Sequence, residues 1–387
     1  MAGRVTRGRS ACADRRRLRR VRILAVNAGS SSLKLSLVGD DDTLLADEEL
    51  TGERADAPGG LADALFGEFA SAEAVVHRIV HGGPPRRGAV LVDAPVRAEL
   101  EALTDLAPLH QPRSLRRLDE TAALLPGRPA VACFDTAFHR TLDPAAQTYP
   151  LPERWRSRWE LRRYGFHGLS HAWSARRIRK LVPGARRIVS CHLGAGASLC
   201  AIRDGRSIDT TMGFTPLDGL VMATRCGSID PGLVLWLRER GEIDEAQLHH
   251  ALEHESGLLA LAGSADMRFV LRDAERGAAG ACLALAVYLR ALRAGVAAMT
   301  AALGGIDVLS FTGGIGENAA AIRAACAADL GFLGIMVDPE LNARAGGDCE
   351  LSAADSAVRV LRLRAREDLE MVRQARRLLR RGAPVAG

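Results

Sequence analysis

Three turns rich in glycine and hydroxyl residues carry side chains that could do chemistry in this chain. The first follows an apolar run, Ile23–Val26, and reads Asn27-Ala28-Gly29 before three serines. Lys34 follows, one of only two lysines among 52 basic residues. Small residues let an anion approach backbone N–H groups, and a nearby cation adds attraction. The pattern predicts a phosphate-binding turn, although an ordinary polar hairpin would share several of its features.

Two later turns have a similar composition. An apolar run, Ile188–Cys191, leads into a turn that ends at Ser198 (HLGAGAS). A second run, Ile306–Phe311, leads into Thr312–Asn318 (TGGIGEN), where we expect a helix to start with Asn318 near its cap. Backbone amides at a helix start attract anions. A single glycine turn is a weak signal, but three in one chain favour a nucleotide site.

Four polar side chains stand at strand ends or glycine turns between these elements, namely Arg78, Asp135, His167 and Arg225. Alone, each would most often cap a carbonyl or pair with a charge. Together they offer two guanidinium groups, an imidazole and a carboxylate. Such a set could bind an anionic acceptor and stabilise the charge that develops during phosphoryl transfer.

A duplicated α/β architecture would position these groups. The strand–turn–strand pattern of Arg22–Val38 recurs at Arg187–Asp209, where Asp204-Gly205 forms a further hairpin turn. Apolar runs at Val75–Val80 and Ala130–Phe134 add strands. The repetition predicts two similar halves that face each other across a cleft.

Composition limits the classes of function. The 387 residues are 48% apolar and 25% charged, as in globular proteins of two or three domains. The formal charge of +6 is misleading, because residues 1–22 hold nine arginines and one aspartate and the remainder sums to −2. We therefore expect no nucleic-acid partner. Residues 1–20 lack a secretory signal and predict a basic, disordered leader or a start codon set too far upstream, in preference to a functional basic arm.

Cysteines and hydropathy indicate a cytoplasmic protein without a membrane span. The eight cysteines show no metal-ligand spacing, and several lie in apolar runs, as buried thiols do in a reducing compartment. The longest apolar segment, Ala281–Leu303, contains Arg290 and Arg293. It predicts a buried helix.

Eight strings in the chain closely resemble the signatures of the acetate kinase family, in the family's order across residues 22–372. They read VNAGSSSLK, HRIVHGG, LAPLHQP, FDTAFH, RRYGFHG, HLGAGAS, DTTMGFTPLDGLVMATRCGSIDPG and FTGGIGEN. The resemblance implies the duplicated actin-like/sugar kinase/Hsp70 (ribonuclease H-like) ATPase fold. It also implies reversible transfer of the ATP γ-phosphoryl group to acetate, giving acetyl phosphate and ADP for acetyl-CoA biosynthesis. Mg²⁺, for which Mn²⁺ could substitute, and a homodimer are implied as well.

The resemblance also assigns roles to residues. Asn27 and Glu367 match the metal positions. Arg78 matches the carboxylate-binding arginine, Asp135 the catalytic aspartate, and His167 and Arg225 the groups that stabilise the transition state. The acyl pocket is matched by Val80, Leu109, Phe166 and Pro216. Nucleotide positions are matched by Lys34, His192, Leu193, Gly194, Ala195, Gly196, Asp266, Met267, Arg268, Gly314, Ile315, Gly316, Glu317 and Asn318.

The implied chemistry suits these residue types. A carboxylate is already ionised at neutral pH, so no strong general base is required. The barrier is the approach of two anions, which arginine, histidine and Mg²⁺ lower. We therefore expect Asp135 to orient an arginine or a metal-bound water, with capping of the following helix as the structural alternative.

Four departures from the family pattern accompany the resemblance. Ala195 stands where the family usually has Asn, which removes a donor near the phosphates. Gln111 replaces an Asn, Arg366 replaces a small polar residue before Glu367, and the Leu50–Ser71 region is short.

We expect an N-terminal domain at residues 21–147, completed by a C-terminal helix at 366–387, and a nucleotide-binding domain at 148–365. The cleft between them should close on substrates. A propionate or broader short-chain carboxylate kinase is the alternative in the same class. A non-catalytic, nucleotide-sensing relative is the alternative from another class, disfavoured because all four polar groups are present.

Overall fold

The computed structural model describes residues 21–29, 32–52, 54, 57, 59–65, 67–83, 88–108 and 110–382. The chain divides into two compact units. Unit 1 extends to Ala137 and resumes at Arg366, and unit 2 comprises Phe138–Ala365. The leader at 1–20, Ser30, Ser31 and Leu109 lie outside the described residues.

The division after Ala137 precedes the expected boundary at residue 147. The short 3₁₀ helix Ala137–Thr141 accounts for this, because it is bonded to unit 2. The His139 ring lies 2.9 Å from both Ser207 Oγ and the Phe166 carbonyl oxygen. Thr141 Oγ1 donates to the Ser207 carbonyl over 2.8 Å.

In its described residues, unit 1 is built on a six-stranded sheet in the order β3-β2-β1-β4-β6-β5. Strands β1, β4 and β6 are parallel, and β2, β3 and β5 pair antiparallel with their neighbours. The strands are β1 (Ile23–Ala28), β2 (Ser32–Val38), β3 (Leu44–Thr51), β4 (Ala74–Ile79), β5 (Val90–Leu91) and β6 (Ala130–Phe134). The predicted hairpin at Arg22–Val38 is therefore observed.

The sheet of unit 2 has the same arrangement of parallel and antiparallel strands. This six-stranded sheet, again among described residues, has the order β9-β8-β7-β10-β12-β11, with β7, β10 and β12 parallel. The strands are β7 (Arg187–Leu193), β8 (Ala197–Arg203), β9 (Arg206–Thr210), β10 (Val308–Thr312), β11 (Cys349–Glu350) and β12 (Arg359–Arg362). The predicted internal repeat is confirmed at the level of topology.

Helices cover the sheets. Unit 1 contains α1 (Gly60–Ala64), α2 (Ala94–Glu101), α3 (Gln111–Leu124) and the C-terminal helix Glu367–Gly382. Unit 2 contains α4 (Pro144–Gln147), α5 (Glu153–Trp159), α6 (Gly168–Leu181), α7 (Pro231–Glu239), α8 (Glu245–His250), α9 (Gly257–Ala262), α10 (Met267–Glu275), α11 (Ala279–Leu303), α12 (Gly313–Asn318), α13 (Ala320–Ala328) and α14 (Pro339–Ala343). A π-helical turn, Ala251–Glu255, follows α8.

Alternation of apolar residues explains the cores. Leu33, Leu35 and Leu37 of β2 are buried every second residue, as expected for a strand with one covered face. They join residues of β1 and α1 in one apolar cluster of unit 1. In unit 2, Ile188 and Val308 on neighbouring strands pack with Ile178 of α6.

Helix α11 differs from the expectation of a buried helix. One face is buried through residues such as Tyr288, Leu292 and Val296, spaced four apart, whereas Leu283 is 54% exposed. Within the described residues this is the one helix long and apolar enough to cross a membrane, which is weak support for a span.

Candidate active site

The unit 1 site residues lie where its parallel strands end. Asn27 is near the end of β1, Arg78 near the end of β4, and Asp135 directly follows β6. Val26 of β1 pairs with His77 of β4, and Arg78 of β4 pairs with Cys133 of β6. The side chains of Asn27, Arg78 and Asp135 therefore lie at the same edge of the sheet. The carboxyl edge of such sheets is where α/β proteins bind ligands.

Arg78 and Asp135 form a buried two-pronged ion pair. Arg78 Nη2 lies 2.6 Å from Asp135 Oδ2, and Nε lies 3.1 Å and 3.0 Å from the two carboxylate oxygens. Their side chains are 13% and 1% exposed. Burial opposes the charge on Arg78, but Asp135 and Glu367 outweigh it and raise its pKa. Burial raises the pKa of Asp135, and the guanidinium counteracts it; the two-pronged contact is that of a carboxylate. Asp135 therefore orients Arg78.

Asn27 connects this pair to the C-terminal helix. Its Nδ2 donates to Glu367 Oε2 over 2.8 Å, and its Oδ1 accepts from Arg78 Nη1 over 3.3 Å. The Asn27 amide nitrogen thus faces the Glu367 carboxylate, and its amide oxygen faces Arg78. Within the described residues, no group of three or more His, Cys, Asp or Glu could hold a metal. Mg²⁺ typically takes one or two carboxylates and completes its shell with water and substrate phosphates, so this sparse set fits it.

The loop after β4 is fixed by Gln111, one of the four departures from the family pattern. Gln111 is fully buried; its Oε1 accepts from the His81 amide over 3.2 Å, and its Nε2 donates to the His81 and Leu100 carbonyls. A Cβ on Gly82 would lie 2.7 Å from the Phe134 ring, so this position requires glycine. Val80, which the resemblance assigns to the acyl pocket, lies in the same segment and is 6% exposed.

In unit 2, His167 directly precedes α6. Its φ of 56° is the left-handed conformation that non-glycine residues rarely adopt, and such strain concentrates at functional sites. The preceding Gly165 has a φ of 71°, and a Cβ there would lie 2.8 Å from the His139 ring. Phe166 and Pro216, which the resemblance assigns to the acyl pocket, are buried in this unit.

The glycine turn of β7 lies beside both candidate hydrogen-bond donors of this unit, His167 and Arg225. A Cβ on Gly196 would lie 3.3 Å from His167 Nε2 and 3.5 Å from Arg225 Nη1. Gly194 closes the turn by donating to the Gly196 carbonyl over 3.0 Å. Exposed Ala195 lies between them. The structure thus brings together three elements that were selected separately from the sequence.

Arg225 is held by a residue that the sequence did not reveal. Its Nε lies 3.0 Å from Glu253 Oε2, with both side chains largely buried. Glu253 belongs to the π-helical turn, and its carbonyl accepts from Thr224 Oγ1 over 2.8 Å. π-helical turns frequently occur at functional sites.

The third glycine turn lies beside the second, because β7 and β10 are parallel neighbours with His192 opposite Thr312. A Cβ on Gly313, where φ is 80°, would lie 2.7 Å from the Leu193 carbonyl oxygen. The expected cap role of Asn318 is wrong in detail. The helix already begins at Gly313, and Asn318 Nδ2 donates back to the Gly314 carbonyl over 2.9 Å.

The other residues that the resemblance assigns to the nucleotide lie at several places. Asp266 caps α10 by accepting from the Arg268 amide over 2.9 Å, and its carboxylate pairs with the Arg268 side chain at 2.6 Å. His192 Nδ1 lies 2.8 Å from Ser170 Oγ. In unit 1, Lys34 of β2 is opposite Asn27 of β1. Its Nζ lies 3.4 Å from Glu49 Oε1, and the Lys34 and Glu49 side chains are 57% and 48% exposed.

Known proteins match this chain over nearly its whole length. The model of the Acetokinase family matches residues 61–373. An acetate kinase of Synechococcus sp. (strain JA-2-3B'a(2-13)) is 42% identical over 92% of this chain and 99% of its own. A propionate kinase of Citrobacter rodentium is 42% identical over 94% and 98%.

A solved structure agrees with these sequence matches. The crystal structure of Porphyromonas gingivalis acetate kinase superposes with a TM-score of 0.83 and 31% identity, covering 93% of this chain and all of that one. The repeated sheets thus form the expected actin-like ATPase fold. With a matching family model, full-length relatives and a shared fold, this chain belongs to the acetokinase family.

Proposed function

We propose that this protein is an acetate kinase, which transfers the γ-phosphoryl group of ATP to acetate and also runs in reverse. Membership of the acetokinase family makes it a carboxyl-group phosphotransferase. The observation that carries the proposal is the Arg78–Asp135 pair. Asp135 occupies Nε and Nη2 and so fixes a cation beside the Asn27–Glu367 pair.

The two units contribute different chemistry in this proposal. Arg78 binds the substrate carboxylate by its charge, and Asp135 keeps the guanidinium oriented. Asn27 and Glu367 hold Mg²⁺, which supplies charge neutralisation on the phosphates when bound.

In unit 2, His167 and Arg225 act beside the Gly194–Gly196 turn. Their donors stabilise negative charge on the transferred group, which is the main catalytic requirement when nucleophile and phosphate are both anions. The backbone amides of the two glycine turns, with the other matched nucleotide residues, bind ATP.

Propionate is the second candidate substrate, favoured by the apolar character of Val80, Phe166 and Pro216 and by the propionate kinase relative. One methylene changes the binding free energy by only about 1–3 kcal/mol in such pockets. Initial rates of acyl phosphate formation with acetate, propionate and butyrate, captured with hydroxylamine, test the assignment. The largest kcat/KM should belong to acetate. A larger value for propionate would reassign the substrate, and no hydroxamate with any of them would favour the nucleotide-sensing alternative.

We further propose a homodimer in the cytoplasm. Helix α7 exposes Leu233, Leu235 and Trp236 at 46–58%, an apolar surface of the kind that pairs with another subunit. The seven cysteines in the described part of the chain are free thiols, as in a reducing compartment. Sedimentation of wild type and Trp236→Glu tests the dimer, because a charge there should shift it toward monomer. A wild-type monomer would contradict it.

A further inference from the structure

A line of alternating imidazoles and hydroxyls runs inward from His167. His167 Nδ1 lies 2.9 Å from Ser198 Oγ, which lies 2.9 Å from His171 Nε2. His171 Nδ1 in turn lies 3.0 Å from Ser190 Oγ. Ser190, Ser198 and His171 are fully buried.

Secondary structure sets this alignment. His167 directly precedes α6 and His171 lies in its first turn, and both rings reach Ser198 Oγ. Ser190 and His192 share one face of β7, and Ser198 is directly opposite His192 on β8. The helix start lies over that face, which brings the two rings and two hydroxyls into a single row.

The number of hydrogens available allows two directions of hydrogen-bond donation along this row. Burial, with the neighbouring His139 and His192, lowers the pKa of His171 well below its usual value, so its ring is neutral and has one N–H. Each serine also has one hydrogen to donate. Either Ser190 donates to His171, His171 to Ser198 and Ser198 to His167, or every bond is reversed.

The surroundings of His167 Nε2 distinguish these directions. Nε2 faces the Gly196 turn, beside Arg225 Nη1. Under the function proposed above, on which this step rests, that turn receives an anion, which is bound by an N–H donor. In the reversed direction a neutral His167 has its N–H on Nδ1, and Nε2 could donate only from an imidazolium, which would put a second positive charge beside Arg225.

We propose that Ser190, His171 and Ser198 are positioning residues that fix His167 as the neutral tautomer with its proton on Nε2, aimed at the transferred phosphoryl group. Ser198 donates into Nδ1 and thereby occupies the nitrogen where a second proton would bind. His167 is then a pre-oriented neutral donor, and Arg225 supplies the positive charge. Pre-orientation matters because a donor that must change tautomer during the reaction stabilises the transition state less.

Nitrogen-15 NMR of the full-length, ligand-free protein, labelled at histidine, reads the tautomer directly. Comparison with His167→Gln assigns the His167 signals. In wild type, Nε2 should be the protonated, pyrrole-type nitrogen and Nδ1 the pyridine-type nitrogen. Protonation on Nδ1 instead would overturn the proposal.

Single hydroxyl deletions test the row. Ser198→Ala and Ser190→Ala should both convert His167 to a mixture of tautomers, although Ser190 does not touch it. Ser207→Ala is the matched control, because it removes an equally buried hydroxyl from His139 and should leave His167 unchanged. Wild-type His167 signals in both Ser198→Ala and Ser190→Ala would show that the row does not set the tautomer.

Kinetics provide the second readout. Ser198→Ala should lower kcat roughly three- to tenfold, as for one lost hydrogen bond, with little change in the KM for acetate. Ser198→Thr retains the hydroxyl and should restore both kcat and the tautomer. Equal losses of kcat in Ser198→Ala and Ser207→Ala would reduce the effect to general destabilisation. Failure of the proposed function can be distinguished from failure of this inference. If only the function were wrong, the NMR result would hold while no acyl phosphate formed.

Discussion

At the scale of residues, the two arginines proposed to act in catalysis are each oriented by a buried carboxylate. Asp135 holds Arg78, and Glu253 holds Arg225. The two arginines nevertheless have different neighbours. Arg78 lies with the Asn27–Glu367 pair, whereas Arg225 lies beside the Gly196 turn. They should therefore act at different stages of the reaction.

Replacement of each arginine by alanine separates these stages. Arg78→Ala should raise the KM for acetate by roughly ten- to a hundredfold, because it removes a charged partner worth about 1.5–3 kcal/mol. Arg225→Ala should mainly lower kcat, because its charge is needed in the transition state. Steady-state kinetics of both variants measure this. Equal increases in KM alone would remove Arg225 from the transition-state role.

Ala195 offers a gain-of-function prediction. Its side chain is exposed, and its carbonyl is fixed by the Ala223 amide at 3.1 Å, so an added amide side chain has room beside the turn. Ala195→Asn should improve kcat/KM for ATP up to roughly tenfold, if about 1.4 kcal/mol is gained by a new phosphate contact. The KM for acetate should not change. A loss with ATP, together with better wild-type turnover of pyrophosphate or GTP, would refute the missing-donor explanation.

At the scale of elements, the sequence predicted those features that local patterns encode. Alternating apolar residues and small-residue turns located β1, β2, β6, β7 and β10 to within two residues, and their repetition predicted the duplicated sheets. Glu253, Gln111 and Ser198 were missed as functional partners. Each contacts a candidate site residue or its loop across 28 to 31 residues of sequence, and no local spacing encodes such a contact.

The π-helical turn yields a prediction of its own. Glu253→Gln retains the side-chain volume but removes the charge that orients Arg225, so kcat should fall roughly tenfold or more. Glu255→Gln, in the same turn but 65% exposed beside His250, is the matched control and should behave as wild type. Wild-type kcat in Glu253→Gln would show that the ion pair does not position Arg225.

At the scale of the whole molecule, buried histidines make stability depend on pH. Burial lowers the pKa of His77 to about 3 and that of His81 and His139 to about 4. The unfolded chain binds protons at these groups below about pH 6.5, whereas the folded protein does not. The stability they confer is therefore complete above pH 6.5 and is lost as pH falls toward 4.

Urea unfolding between pH 7 and 5 measures this loss. Each buried histidine should contribute about 1.4 kcal/mol per pH unit once its unfolded form is fully protonated. His77→Gln should remove one proton from the difference in proton binding between the unfolded and folded states, and so reduce the slope of the free energy of unfolding against pH. A stability that is constant across this range would contradict neutral burial.

The most direct test of the central claim is synthesis of ATP from acetyl phosphate and ADP by the purified protein with Mg²⁺. The account predicts ATP in proportion to the acetyl phosphate consumed, with both lost in Arg225→Ala. A protein that only senses nucleotide would bind ADP without product. Absence of ATP from wild-type protein that binds ADP would contradict its assignment as an acetate kinase.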